Sequence, residues 1–265
     1  MVDIQNSIDT REIPLEKVGV KNLQYPVKVL DKQNGSQQTT ANVDLFVNLP
    51  HNYKGTHMSR FVEIFHRYRQ NLGMKQFLSM LRDIQSSLAA NRAFGTMTFP
   101  FFMQKTAPVT KAESIMRYTC TYKGEVCAES EHFFVSVQVP VTTLCPCSKA
   151  ISKYGAHNQR GLVTVCLENT SLFWIEDIIE LVEQSSSGGL YSILKRPDEK
   201  WVTEHAYENP RFVEDVVREV YLGLKNFQKC EKPFTWFSVE CENFESIHNH
   251  NAYAYVEGNS KNCNF

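Results

Sequence analysis

No apolar run in the 265-residue chain reaches the roughly 18 residues that a membrane helix needs. The first thirty residues, MVDIQNSIDTREIPLEKVGVKNLQYPVKVL, carry charges throughout and no apolar segment of the export-signal kind. The sequence therefore reads as cytoplasmic, with no membrane partner. A charge excess is missing too: 28 Lys and Arg against 29 Asp and Glu leave a net charge of −1. That balance gives no general pull toward nucleic acid, so an anionic ligand must be held by a local cluster of bases. No G-x-x-x-x-G-K-[ST] stretch occurs, which excludes a P-loop phosphate cradle. Glycine and proline are sparse, and 42% hydrophobic with 22% charged residues is the composition of an ordinary globular protein. The length allows one large domain or two modest ones.

Cysteine is present, at 120, 127, 145, 147, 166, 230, 241 and 263. Without an export signal these do not read as a disulfide framework. Most are expected to be reduced and buried as small hydrophobes. Cys145 and Cys147 stand apart, because LCPCSKAISKYGAHNQRG (144–161) places them one proline apart with His157 downstream.

Periodicity gives a regular element order. YPVKVLDK (25–32) and TANVDLFVNL (40–49) read as strands around a QNGSQ turn. Residues 59–70 and 74–90 place apolar side chains at helical spacing, for example Phe61, Ile64, Phe65 and Phe77, Leu81, Ile84. Residues 96–105 and 114–126 return to strand character. The second half repeats the order, with strands at 132–143 and 161–168, helices at 172–186 and 210–228, and strands at 234–244 and 251–258. Asn209 and Pro210 read as the N-cap and first residue of the later helix. The repeat is one of element order, not of residues. It predicts an α+β chain: a segment 1–24, then two β-β-α-α-β-β units at 25–128 and 129–265. Each unit would be an antiparallel sheet with its helix pair on one face. Open sheet edges of this kind are closed by pairing with other copies, so a closed assembly of several chains is expected.

The chemistry concentrates in the second half. From His132 to Leu167 there is no acidic residue, while Lys149, Lys153 and Arg160 are present. On charge alone this is a solvated basic loop. Nearby cations raise a thiol's thiolate fraction, so Cys145 and Cys147 are candidates for metal ligand or nucleophile. C-x-C with one distant His lacks the two close pairs of a structural zinc site. It points to an open site with three protein ligands and a water. Two further clusters are notable. KRPDEKWVTEHAYENP (195–210) reads as a charged linker between two helices and holds Asp198, Glu199, Glu204, His205 and Glu208. ENFESIHNH (242–250) holds Glu245, His248 and His250, and the two histidines, two apart, would share one face of a strand.

Taken together, PVTTLCPCSKAISKYGAHNQRG, LKRPDEKWVTEHAYENPRFVEDVVRE and ENFESIHNHNAYA strongly resemble GTP cyclohydrolase IB, as do KVGVKNLQYPV and GTHMSRFVEIF nearer the start. The resemblance covers nearly the whole chain. It implies a tandem tunnelling fold assembling as a homotetramer, and conversion of GTP and water to 7,8-dihydroneopterin triphosphate and formate, the opening of folate synthesis. It implies Cys145, His157 and Glu199 as ligands of a catalytic metal, a choice the residues alone do not make between Glu199 and Glu204. It further implies Cys147 as a second functional cysteine and Glu214 as the carboxylate gripping the guanine edge. His248 and His250 would line the substrate pocket beside Glu245, with His248 the candidate acid at N7. Lys149, Arg160, Lys153, Lys54 and Arg60 are candidates for the triphosphate. Mn²⁺, Fe²⁺ and Zn²⁺ all suit Cys/His/carboxylate ligands, and the resemblance favours metals other than zinc. Three other readings compete: the tunnelling-fold nitrile reductase, with a cysteine nucleophile and NADPH; the archaeal cyclohydrolase, with a cyclic-phosphate product; and a non-catalytic protein with a closed metal site.

Overall fold

A computed structural model describes residues 5, 7, 9–168 and 171–259. By compactness the chain forms two units, Met1–Pro100 with Thr121–Val135 and Phe101–Cys120 with Ser136–Phe265. These differ from the consecutive halves 25–128 and 129–265. The reason is strand length: three strands of 14 or 15 residues each contribute one part to each unit.

The first unit opens with a long hairpin, β1 (Leu15–Asp31) and β2 (Gly35–Leu49). Its turn falls just before Gly35, which takes φ +73°, a conformation open to glycine. Asp31 organises the turn by accepting from the amides of Gln33 and Asn34 at 2.9 and 2.7 Å. β1 starts well before residue 25. Residues from Leu15 onward are therefore strand and not a separate segment, and register shifts lie between Leu15 and Val18 and between Val20 and Leu23. After α1 (Met58–Tyr68) and α2 (Met74–Ser87) come β3 (Arg92–Thr106), β4 (Glu113–Cys127) and β5 (Glu131–Leu144). In this unit the strand order is β1-β2-β3-β4-β5.

The helices pack on one face of that sheet because their apolar stripes face it. Phe61, Phe65, Phe77, Leu81 and Ile84 are buried against Leu45, Val47, Met97 and Phe99. α2 comes close because two strand positions lack a Cβ. A Cβ at Gly95 would sit 3.1 Å from Phe77 Cζ, and one at Gly124 3.0 Å from Phe77 Cε1. The Phe77 ring also meets Phe133 and Tyr122, at centroid distances of 5.7 and 6.2 Å.

In the second unit the order is β3-β4-β5, then β6 (Asn158–Glu168), β8 (Trp236–Asn243) and β9 (Ala252–Asn259), with the short β7 (Gly188–Gly189) on β5. Its helices are α3 (Pro146–Ile151), α4 (Ile175–Ser185), α5 (Arg196–Glu208) and α6 (Val213–Lys225). α4 and α6 bury Ile178, Ile179, Val182, Val216, Val217 and Val220 over the inward valines of β5, β6 and β8. The expected helix 210–228 starts later, at Val213, where the Asp215 carboxylate accepts from Phe212 N at 3.0 Å. Asn209 is not its N-cap. It closes α5 instead, its side-chain amide donating to His205 O at 2.8 Å.

Cys120 and Cys241 meet the expectation of buried thiols, and burial pushes the Cys241 thiol up to about 12. Cys127, Cys166 and Cys230 are only half-buried, since they lie in turns or on partly covered strand faces. Cys263 lies outside the described residues. All described cysteines are free thiols.

Truncating Phe77 leaves a cavity that neither glycine strand position can fill. Phe77→Ala is expected to lower stability by about 3–5 kcal/mol, measured by urea unfolding.

Candidate active site

The site is assembled where strands of the second unit end. β6 and β8 pair antiparallel with Gly161 opposite Asn243, so the chain entering β6 runs beside the chain leaving β8. Phe244 N donates to Arg160 O at 2.9 Å and holds the two segments together. This register brings the loop carrying Glu245, His248 and His250 to His157. At the end of β5, Leu144 O accepts from Arg211 N at 3.0 Å, which draws the approach to α6 against Cys145.

Ser148 fixes the cysteine turn. Cys145 is the N-cap of α3, with its Sγ accepting from Ser148 N, and Pro146 takes the first helical position where no amide donor is needed. The Ser148 hydroxyl donates to Cys145 O at 3.2 Å and accepts from His157 N at 3.2 Å. Cys145 N donates to His157 O at 3.1 Å. The twelve residues between Cys145 and the start of β6 thus close on themselves, with the Cys145 and His157 side chains on one wall.

That wall belongs to a cavity of about 310 Å³, which brings together Cys145, His157, Glu214, Glu245, His248 and His250. Six of the predicted site residues therefore meet in one place. The two later histidines lie in the loop between β8 and β9 and not on a strand. Their spacing still stacks the rings, with centroids 5.2 Å apart and planes at 19°. Glu245 Oε2 stands 4.0 Å from His157 Nδ1.

The other four predicted residues do not line this cavity. Cys147 is exposed on α3. Lys149 Nζ donates to Tyr207 O and lies 4.4 Å over the Tyr207 ring. Arg160 lines a neighbouring depression, which shares Gln159 with the cavity. Glu199 is exposed in the first turn of α5. Of the further bases, Lys54 and Arg60 belong to the first unit, where Arg60 donates to Ser87 O at 2.8 Å. Lys153 is exposed, 5.2 Å from the Tyr154 ring.

The charged stretch 195–210 is helical and not a linker, and Asp198 explains why. Fully buried, it accepts from Thr110 Oγ1, Thr110 N, Val109 N and Lys195 N, so it both starts α5 and ties it to the loop after β3. Burial alone would raise this carboxyl's pKa. The Thr110 hydroxyl and the three amides outweigh that and hold it well below the ordinary value of 3.8.

Sequence reasoning missed three polar cavity residues, Gln159, Arg211 and Asn243. Gln159 Oε1 lies 3.0 Å from His157 Nδ1, and its Nε2 donates to the buried Thr143 hydroxyl at 2.9 Å. The chain Thr143–Gln159–His157 ties the imidazole at Nδ1 and orients its ring in the cavity wall. The His-x-Gln spacing at a strand entry carried that signal.

A thiol and an imidazole suit a soft or borderline divalent ion. Among the described residues, no three His, Cys, Asp or Glu side chains are grouped closely enough to hold a metal ion by themselves. Cys145 and His157 line one cavity, and Glu199 is not brought to them.

A family model described as type I GTP cyclohydrolase folE2 matches residues 1–254. The chain belongs to this family. Relatives called GTP cyclohydrolase FolE2 include those of Geobacter sulfurreducens, 52% identical over 97% of this chain and 98% of its own length, and Syntrophus aciditrophicus, 53% identical over 97% and 99%. The relative from Thermosipho africanus is 51% identical over 98% and 99%. Solved uricases from Arthrobacter globiformis and Bacillus fastidious superpose with TM-scores of 0.55 at 7% and 6% identity, covering 94% and 92% of this chain and 95% and 92% of their own. At that identity they show the fold alone, which is the tandem tunnelling fold. Membership separates the chain from the nitrile reductases that share the fold. Among the described residues no helix is long and apolar enough to cross a membrane.

The depressed Asp198 carboxyl contributes stability that is present above the ordinary carboxylate pKa and is lost as pH falls toward the folded value. Asp198→Asn is expected to lower the melting temperature near neutral pH. It should also flatten the loss of stability below about pH 4, measured by thermal melts across pH.

Proposed function

We propose that the cavity binds GTP by its guanine and opens the imidazole ring at C8, yielding 7,8-dihydroneopterin triphosphate and formate. The observation that carries this reading is the meeting of Cys145 and His157 with Glu214 and the stacked His248 and His250 in one cavity. Relatives half identical along nearly the whole chain bear the name GTP cyclohydrolase, which supports it.

Cys145 and His157 would hold a divalent metal, Mn²⁺, Fe²⁺ or Zn²⁺; Glu199, the third ligand that the resemblance implies, lies outside the cavity in the first turn of α5. Once bound, the ion supplies Lewis acidity that brings the ionisation of water near neutral pH. Gln159 orients His157 for that task. Glu214, in the first turn of α6, accepts from the N1–H and N2–H groups of guanine. His248 donates a proton to N7 as water adds at C8, and His250 lines the pocket beside it. Cleavage of C8–N9 and release of the formyl group from N7 consume two waters. Reclosure onto the rearranged ribose expels one, so the balance is one water in and one formate out. Cys147, exposed on α3 outside the cavity, is the second functional cysteine that the resemblance implies and is not assigned to the ion. Lys149 and Arg160 are the triphosphate cations in this reading.

We read the active form as a cytoplasmic homotetramer. Among the described residues β9 pairs with β8 alone and exposes Tyr253 and Tyr255, which supports an edge open to another copy.

The test compares bound metal and formate release across variants. Cys145→Ala and His157→Ala are expected to lose both, and Gln159→Leu to weaken metal binding about 10- to 100-fold. Cys147→Ala should keep the metal and lose formate release by about 100-fold or more. A Cys145→Ala protein with wild-type metal content would contradict the ligand assignment.

A further inference from the structure

Two carboxamides, Gln159 and Asn243, are diagonal neighbours on the buried faces of β6 and β8, and both line the cavity. Gln159 is spent at both ends, on His157 and on Thr143. Asn243 is spent at one end only. Its Oδ1 accepts from the Cys241 thiol at 3.7 Å, and that thiol, pushed up to about 12 by burial, stays a donor. Glycine at 161 makes room for the amide, since a Cβ there would sit 2.6 Å from Oδ1. The other end, Nδ2, has no partner among the described residues and is not one of the sealed-off orphan atoms. The wall therefore holds a fixed, neutral N–H donor with nothing of the protein to bond.

Position and chemistry narrow what this donor serves. Glu245, two residues beyond Asn243, comes within 4.0 Å of His157 Nδ1, so Asn243 belongs to the His157 end of the cavity. On the reading proposed above, on which this inference rests, C8 of guanine reacts at that end. Water adds at C8, the charge of that addition goes to N7, where His248 protonates it, and C8–N9 breaks to leave a formamide on N7. A second water then adds to the formyl carbon, and the carbonyl electron pair moves onto oxygen. The pair returns as C8–N7 breaks, the nitrogen takes a proton and formate leaves. No side chain assigned above donates to this oxygen, and a preorganised donor facing an oxygen that gains charge is what the step needs. We propose that Asn243 Nδ2 donates to the formyl oxygen of the ring-opened intermediate, which makes Asn243 a catalytic residue of deformylation.

Asn243→Asp and Asn243→Leu keep the shape of the side chain and remove the donor. The experiment uses metal-loaded protein and follows two signals. One is loss of the guanine absorbance in a single turnover of GTP; the other is formate released when the ring-opened formamide triphosphate is supplied as substrate. Both variants are expected to release formate from the formamide about 100- to 1000-fold more slowly, the cost of one missing oxyanion donor. Opening of GTP should stay within about 3-fold of wild type, so that the formamide accumulates. Bound metal should be unchanged, whereas a merely structural role would lower it together with both steps. Equal slowing of ring opening and formate release overturns the proposal, as does formate release at the wild-type rate by either variant. Wild-type protein that opens no GTP would sink the guanine reading itself, a separate result from a lost second step.

Discussion

The active-site wall depends on the register of β6 against β8. With Gly161 opposite Asn243, the chain before β6 and the chain after β8 end at the same level. His157 and the Glu245–His250 loop then face each other without any helix having to position them. A slip of one residue would turn every side chain of β6 to the other face and carry Gln159 away from Thr143. The alternation of buried valines along β6 and β8 excludes that slip, because Val163, Val165 and Val239 must stay in the core. The hydrophobic pattern of two strands thereby fixes the geometry of a polar cavity at their ends.

Onto that frame, short-range hydrogen bonds add the cysteine turn. One hydroxyl, Ser148, links the Cys145 carbonyl to the His157 amide, so the loop between two strands returns to where it began. α6 adds Glu214, and the segment leading into it adds Arg211. The result is a cavity with acids, imidazoles, a thiol and one guanidinium within a few residues of strand or helix ends. Such ends are where backbone groups and side chains can be turned inward without interrupting a ladder.

Much of this was legible in the sequence. The order of strands and helices followed from periodicity, because both units carry strong apolar stripes such as Phe61, Phe65 and Val216, Val220. Cys145 and His157 stood out through residue type and local charge, and Glu214 through family resemblance only, since on its helix it looks like any solvated acid. Other features were hidden for physical reasons. Stretch 195–210 reads as a linker because its charges mask a helix whose start depends on Asp198 meeting Thr110, a contact across 88 residues. Arg211 escaped notice because its place on the cavity comes from its amide meeting Leu144 O, a contact across the chain that no local pattern encodes. The interleaving of the compact units was likewise invisible, since it depends on how far β3, β4 and β5 extend.

The central claim is that this cavity opens GTP with the help of a divalent ion held by Cys145 and His157. The most direct test incubates metal-stripped protein with GTP, restores Mn²⁺, Fe²⁺ or Zn²⁺ separately, and follows formate together with pterin fluorescence after oxidation. The account predicts formate and pterin in equal amounts, appearing only when a metal is restored. Formate released at the same rate without metal, or no turnover with any of the three ions, would contradict it.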